Sequence, residues 1–155
     1  MLEQLPDLLT GTELCLAAEV PKAGSRSEQV HFNLDVVRKF FNLEPGMERS
    51  ITLERISPLG KVEERRSRQL VFPDSNRNAR IEFSWGQHRL EYPPPPERPL
   101  LVVVEAAQLT YRYRTLMPDD GGYPGVLELI KAGPSVGNGV RRRIVTLDEL
   151  AAYWP

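Results

Sequence analysis

A chain of 155 residues with 41% hydrophobic and 26% charged residues is long enough to bury a sizeable core, and residues 1–155 read as a single domain. Its formal net charge of −1 argues against unselective coating of nucleic acid, so any anionic partner must be met by local placement of charge. The lone Cys15 excludes an internal disulfide, no apolar run approaches membrane-spanning length, and the N-terminus lacks the features of a signal peptide; the expectation is a soluble, cytoplasmic protein without membrane contact.

Residues 1–11 form a short acidic lead that ends at the turn residue Gly11. From Thr12 to Val20 the chain reads as a strand, in which Leu14 and Leu16 alternate with Glu13 and Cys15. A polar, glycine-containing loop follows from Pro21 to Glu28 and carries Lys22 and Arg26. Gln29–Phe32 reads as a second strand, with Val30 and Phe32 on one face and Gln29 and His31 on the other. Asn33 is a candidate helix cap and Asp35 suits the first-turn dipole. Val36, Val37, Phe40 and Phe41 fall at helical spacing before Pro45-Gly46 stops the segment.

Arg49–Ser57 alternates again, and Pro58-Leu59-Gly60 turns it into a long strand from Lys61 to Phe72. A polar tip, Ser75-Asn76-Arg77-Asn78, then leads to a return strand from Ala79 to Trp85. Four prolines, Pro93 to Pro96, mark a spacer. The apolar run Leu100–Val104 suits a strand buried on both faces. Leu109–Leu116 alternates Leu109, Tyr111 and Tyr113 with Thr110, Arg112 and Arg114. Tyr123–Ala132 reads as a helix closed by Gly133-Pro134, Val140–Val145 as the last strand, and Thr146 with Glu149 as the capping box of a final short helix. These elements do not follow the alternation of a parallel sheet. The expected fold is mainly β with short helices: an open antiparallel β-barrel whose ends the helices plug.

The charge placement is uneven. Between residues 65 and 80, Arg65, Arg66, Arg68, Arg77 and Arg80 oppose only Asp74, a net of +4 within a chain at −1. Arginine pairs in bidentate fashion with guanine O6 and N7, asparagine with adenine N6 and N7, and a two-stranded ribbon fits the major groove. The hairpin therefore reads as a DNA-reading head. Its plainer reading is a solvated hairpin with turn-forming Ser, Asn and Asp.

The order of features resembles the N-terminal DNA-binding effector domain of EcoRII-type restriction endonucleases and, more distantly, the plant B3 DNA-binding domains. The matching residues are Gln29-Val30, the Val36–Phe41 helix, Arg77-Asn78-Ala79-Arg80-Ile81, Trp85-Gly86 and the ending Ile144–Pro155. One departure is clear: Ala79 stands near the place where the family has an acidic residue among its base contacts, so the family's target sequence does not carry over. The resemblance implies a DNA-binding pseudobarrel that grips duplex DNA with two arms. Lys22, Arg26, Ser27, Gln29 and His31 would form the first arm. In the second, Arg77, Asn78 and Arg80 would meet base edges beside Asn76, while Arg66, Arg68 and Ser75 would touch phosphate. It also implies a separate nuclease domain or subunit, to which this chain would be the non-catalytic recognition part.

Other motifs add little chemistry. Two distant histidines and one cysteine offer no metal-ligand spacing, and no cofactor is expected. The nearest approach to a nuclease centre, Asp119 with Glu128 and Lys131, has the wrong spacing. Gly133–Gly139 lacks the ending of a phosphate loop. The triplet Arg141-Arg142-Arg143 either contacts phosphate or protects an edge strand. Trp85, Tyr111 and Tyr113 read as core aromatics. Two rival functions remain: a protein-interaction or small-ligand β-barrel whose arginine hairpin takes an acidic partner, and a single-strand binder that depends on aromatic residues.

Overall fold

The computed structural model describes residues 14–20, 29–44, 46–56, 61–71, 78–82, 99–132 and 142–153. The elements in chain order are β1 (Leu14–Glu19), β2 (Gln29–Asn33), α1 (Leu34–Lys39), β3 (Glu48–Ile56), β4 (Val62–Val71), β5 (Asn78–Glu82), β6 (Leu100–Ala107), β7 (Thr110–Leu116), α2 (Tyr123–Lys131), β8 (Arg142–Thr146) and α3 (Leu147–Tyr153). Every strand and helix expected from the alternation is present. The expected ends at Thr12, Phe72 and Trp85, the polyproline spacer and Gly133–Gly139 lie outside the described residues.

The eight strands form one sheet in the order β2-β5-β4-β3-β7-β6-β1-β8. The expectation of an antiparallel barrel needs a correction. β3 runs parallel to β7, while the other six pairings are antiparallel. Parallel neighbours need a crossover rather than a tight turn, and the chain between β3 and β7 supplies one through β4, β5 and β6. Among the described residues the edge strands β2 and β8 do not pair with each other, so the sheet is open.

The apolar run of β6 explains the layering. Leu101 and Val103 join one core with Leu16 and Ala18 of β1, Ile51 and Leu53 of β3, Leu70 of β4, and Tyr111 and Tyr113 of β7. Leu100, Val102 and Val104 point to the opposite face and join Cys15, Ala17, Leu116 and Val145. Each face has its own cover. Val36 of α1 with Phe40, Phe41 and Leu43 just beyond it closes the first, and Val126, Leu129 and Ile130 of α2 with Leu150 of α3 close the second.

Local chemistry sets the helices. α1 ends at Lys39, sooner than its apolar spacing predicts, because Phe40 and Phe41 leave the helix to stack against Tyr111 at ring-centroid distances of 5.6 and 5.0 Å. The chain then turns through Asn42 at φ 55° and Gly46 at φ 84°, left-handed positions that asparagine and glycine tolerate. α2 starts with proline in its first turn, where the missing N–H costs nothing. At α3 the capping box forms as expected: Glu149 N–H donates to Thr146 Oγ1 and Thr146 N–H to Glu149 Oε1, both at 3.1 Å.

Candidate nucleic-acid interface

The described ends of the two arms expected from the sequence, Gln29–His31 and Asn78–Arg80, are joined in the sheet. β5 leaves β4 after the Val71–Arg80 rung and pairs with β2 along its whole length. The ladder sets Gln29 opposite Glu82, His31 opposite Arg80 and Asn33 opposite Asn78. Thus Gln29 and His31 of the first arm share a ladder with Asn78 and Arg80 of the second. The anticipated long β4–β5 hairpin is corrected accordingly: among the described residues β4 pairs mainly with β3, over nine positions, and with β5 at one. Lys22, Arg26, Ser27, Ser75, Asn76 and Arg77 lie outside the described residues.

β4 carries its arginines on both faces, because successive side chains of a strand alternate. Arg66 and Arg68 share a face with Leu70, where they stand opposite the buried Leu53 and Ile51 of β3. Arg65, Ser67 and Gln69 share the other. Arg80 pairs with Val71, on the alternation phase of Arg65 rather than that of Arg68. Among the described candidates, Asn78 and Arg80 therefore hold register positions on the opposite phase from Arg66 and Arg68.

The positive charge on that second phase is largely occupied. Glu54 of β3 lies in register between Arg65 of β4 and Arg112 of β7. Its side chain is 2% exposed. Arg65 Nε donates to Glu54 Oε2 at 2.7 Å, Arg65 Nη2 reaches the same oxygen, and Arg112 Nε donates to Oε1 at 3.0 Å. Burial works to raise the Glu54 pKa, but the hydrogen bonds and charges of Arg112 and Arg65 outweigh it and hold the carboxyl below its ordinary value. Strand alternation alone reads Glu54 as an outward polar residue; its burial depends on two arginines, one from the next strand β4 and one from β7, distant in sequence.

Other arginines are also engaged. Arg55 pairs with Glu63 at 3.0 Å and lies 3.8 Å from Glu64, and Arg66 Nε lies 2.5 Å from Glu64 Oε1. Arg68 Nη1 donates to the Ser67 carbonyl at 3.2 Å. Arg114, expected on a polar face with Arg112, is buried, since it stands opposite Val102 where the helices cover the sheet. Arg143 on the edge strand β8 donates to the Leu129 carbonyl at 3.0 Å and to Glu149 at 3.2 Å, which ties α2 to α3. Tyr111 and Tyr113 are core residues, as expected.

Among the described residues no group of three or more metal-ligating side chains is present, and no helix is long and apolar enough to cross a membrane. No protein-family model matches the sequence, and no curated protein matches it. The fold is similar to that of the N-terminal domain of Helicobacter pylori LlaJI.R1, with a TM-score of 0.54 and 8% sequence identity, over 84% of this chain and 97% of that one. At that identity the likeness is one of fold.

Proposed function

We propose that this chain is a sequence-specific binder of double-stranded DNA: a pseudobarrel of the B3-like kind that enters the major groove and serves as the recognition or effector domain of a restriction endonuclease. The observation that carries the reading is the β2–β5 ladder, which joins His31 to Arg80 and Asn33 to Asn78. Gln29 and His31 of one arm and Asn78 and Arg80 of the other, far apart in sequence, thereby share one two-stranded platform. The fold likeness to the N-terminal domain of LlaJI.R1, whose designation is that of a restriction enzyme, supports the same reading.

Mechanistically, duplex DNA docks through charge-assisted phosphate contacts and is then read at base edges. Arg77, Asn78 and Arg80 meet the bases, where guanidinium and carboxamide groups match guanine and adenine. Arg66, Arg68 and Ser75 contact phosphate. The first arm, Lys22, Arg26, Ser27, Gln29 and His31, grips the same duplex from beside β5. A ribbon that enters a groove has a phosphate strand on either side, so arginines on opposite phases of the sheet are compatible with one bound duplex. Ala79 offers no acceptor to a cytosine amine, and the target therefore differs from that of relatives with a carboxylate at this point. Cleavage is left to a separate nuclease domain or subunit.

A mobility-shift assay tests this. Labelled duplex should be retained in preference to the matching single strand, and Asn78→Ala should weaken the complex with a selected site by about 1–3 kcal/mol while random duplex is held as before. Equal retention of single strand and duplex, with no effect of Asn78→Ala, would contradict it.

A further inference from the structure

The base of the arginine hairpin has two charged faces, and they are not equivalent. On the face of Arg65 the positive charge is committed inward, because Arg65 and Arg112 both hold the buried carboxylate of Glu54. On the opposite face the register brings Arg49 of β3 diagonal to Arg68 of β4, one rung from Arg66, since Arg49 faces Leu70 and Ile51 faces Arg68. Diagonal neighbours of this kind lie about 7–8 Å apart at the backbone, roughly the spacing of successive phosphates on a strand. Arg66 is paired with Glu64. Among the described residues, Arg49 and Arg68 form no ion pair with a carboxylate.

The setting of these two side chains is also suited to contact with a partner. Leu70, opposite Arg49, and Ile51, opposite Arg68, are buried. Both arginines are half-buried, the setting in which an arginine stem covers apolar surface and its charged head reaches toward water. Less side-chain freedom is then lost when an anion arrives than at a fully extended surface arginine.

We infer that the phosphate-facing surface at the base of the hairpin is the Arg49–Arg68 face, with Arg49 as a phosphodiester-contacting residue, and that Arg65 is a structural arginine of the Glu54 clamp. The inference rests on the DNA-binding reading above. It reverses what exposure alone predicts, since the Arg65 side chain is 69% exposed.

The test is the salt dependence of binding to a labelled random-sequence duplex between about 50 and 200 mM salt, for the full chain and for Arg49→Gln, Arg49→Lys, Arg68→Gln and Arg65→Gln, with thermal unfolding of each. Arg49→Gln and Arg68→Gln should each reduce the steepness of log affinity against log salt by about one unit. Arg49→Lys should restore it. Arg65→Gln should lower the melting temperature and keep the original steepness. If Arg49→Gln keeps the original steepness, or if Arg65→Gln loses the unit instead, the inference is overturned while the DNA-binding reading stands. Absence of duplex binding by the unmodified chain at the lowest salt would overturn both.

Discussion

Glu54 and Arg65 face each other across β3 and β4, and the buried carboxylate accepts from both Nε and Nη2 of the guanidinium while Arg112 approaches from β7. This row crosses three strands and ties them together, because a carboxylate buried at this point needs guanidinium partners from both neighbouring strands. Arg65 is 69% exposed, so water screens part of its attraction, and Arg65→Met is expected to cost about 1 kcal/mol or less. Arg112→Met should cost about 1.5–3 kcal/mol, as loss of a charged hydrogen bond at a less exposed site. The double variant should lose more than the sum by about 0.5–3 kcal/mol, since only then is the carboxylate stranded. Urea unfolding of the four proteins measures the difference. Strict additivity would show that Glu54 does not depend on the pair.

The same carboxylate sets a pH dependence. Its folded pKa lies below the ordinary value of 4.5. The unfolded chain therefore takes up the proton more readily, so the stability that Glu54 contributes is complete above the ordinary carboxylate value and disappears as pH falls through the folded one. Unfolding free energies measured from about pH 7 to about pH 3 should decline on the acid side, and Glu54→Gln should show a shallower decline from a lower starting point. Parallel curves for the two proteins would contradict the assignment.

Cys15 is fully buried in β1, and burial pushes its thiol pKa up to about 12. A thiol held protonated and out of contact with water is a poor nucleophile. A disulfide exchange reagent at pH near about 8 should leave the native protein unmodified and should react with one thiol per chain in urea. Rapid labelling of the native protein would show that β1 is not buried between the two cores as described.

Much of the architecture could be read from the residues because alternation and capping are local. Leu100–Val104 implied a strand covered on both sides, and the two cores divide it between them. Thr146 and Glu149 formed their expected box. What the sequence could not reveal was long-range pairing. Nothing local says that β5 prefers β2 to β4, or that β3 takes β7 as a parallel neighbour. That missing information had a cost at the candidate site. The count of +4 treated all hairpin arginines alike, whereas register assigns Arg65 to Glu54 and leaves Arg68 facing the opposite side with Arg49.

The most direct measurement for the central claim is selection of bound sites from a pool of randomised duplex at moderate salt. One short motif should be enriched over successive rounds, and the enrichment should vanish for Arg77→Ala while weak, salt-sensitive binding remains. A pool that stays random after selection, with Arg77→Ala indistinguishable from the unmodified chain, would contradict the claim that this domain reads DNA sequence.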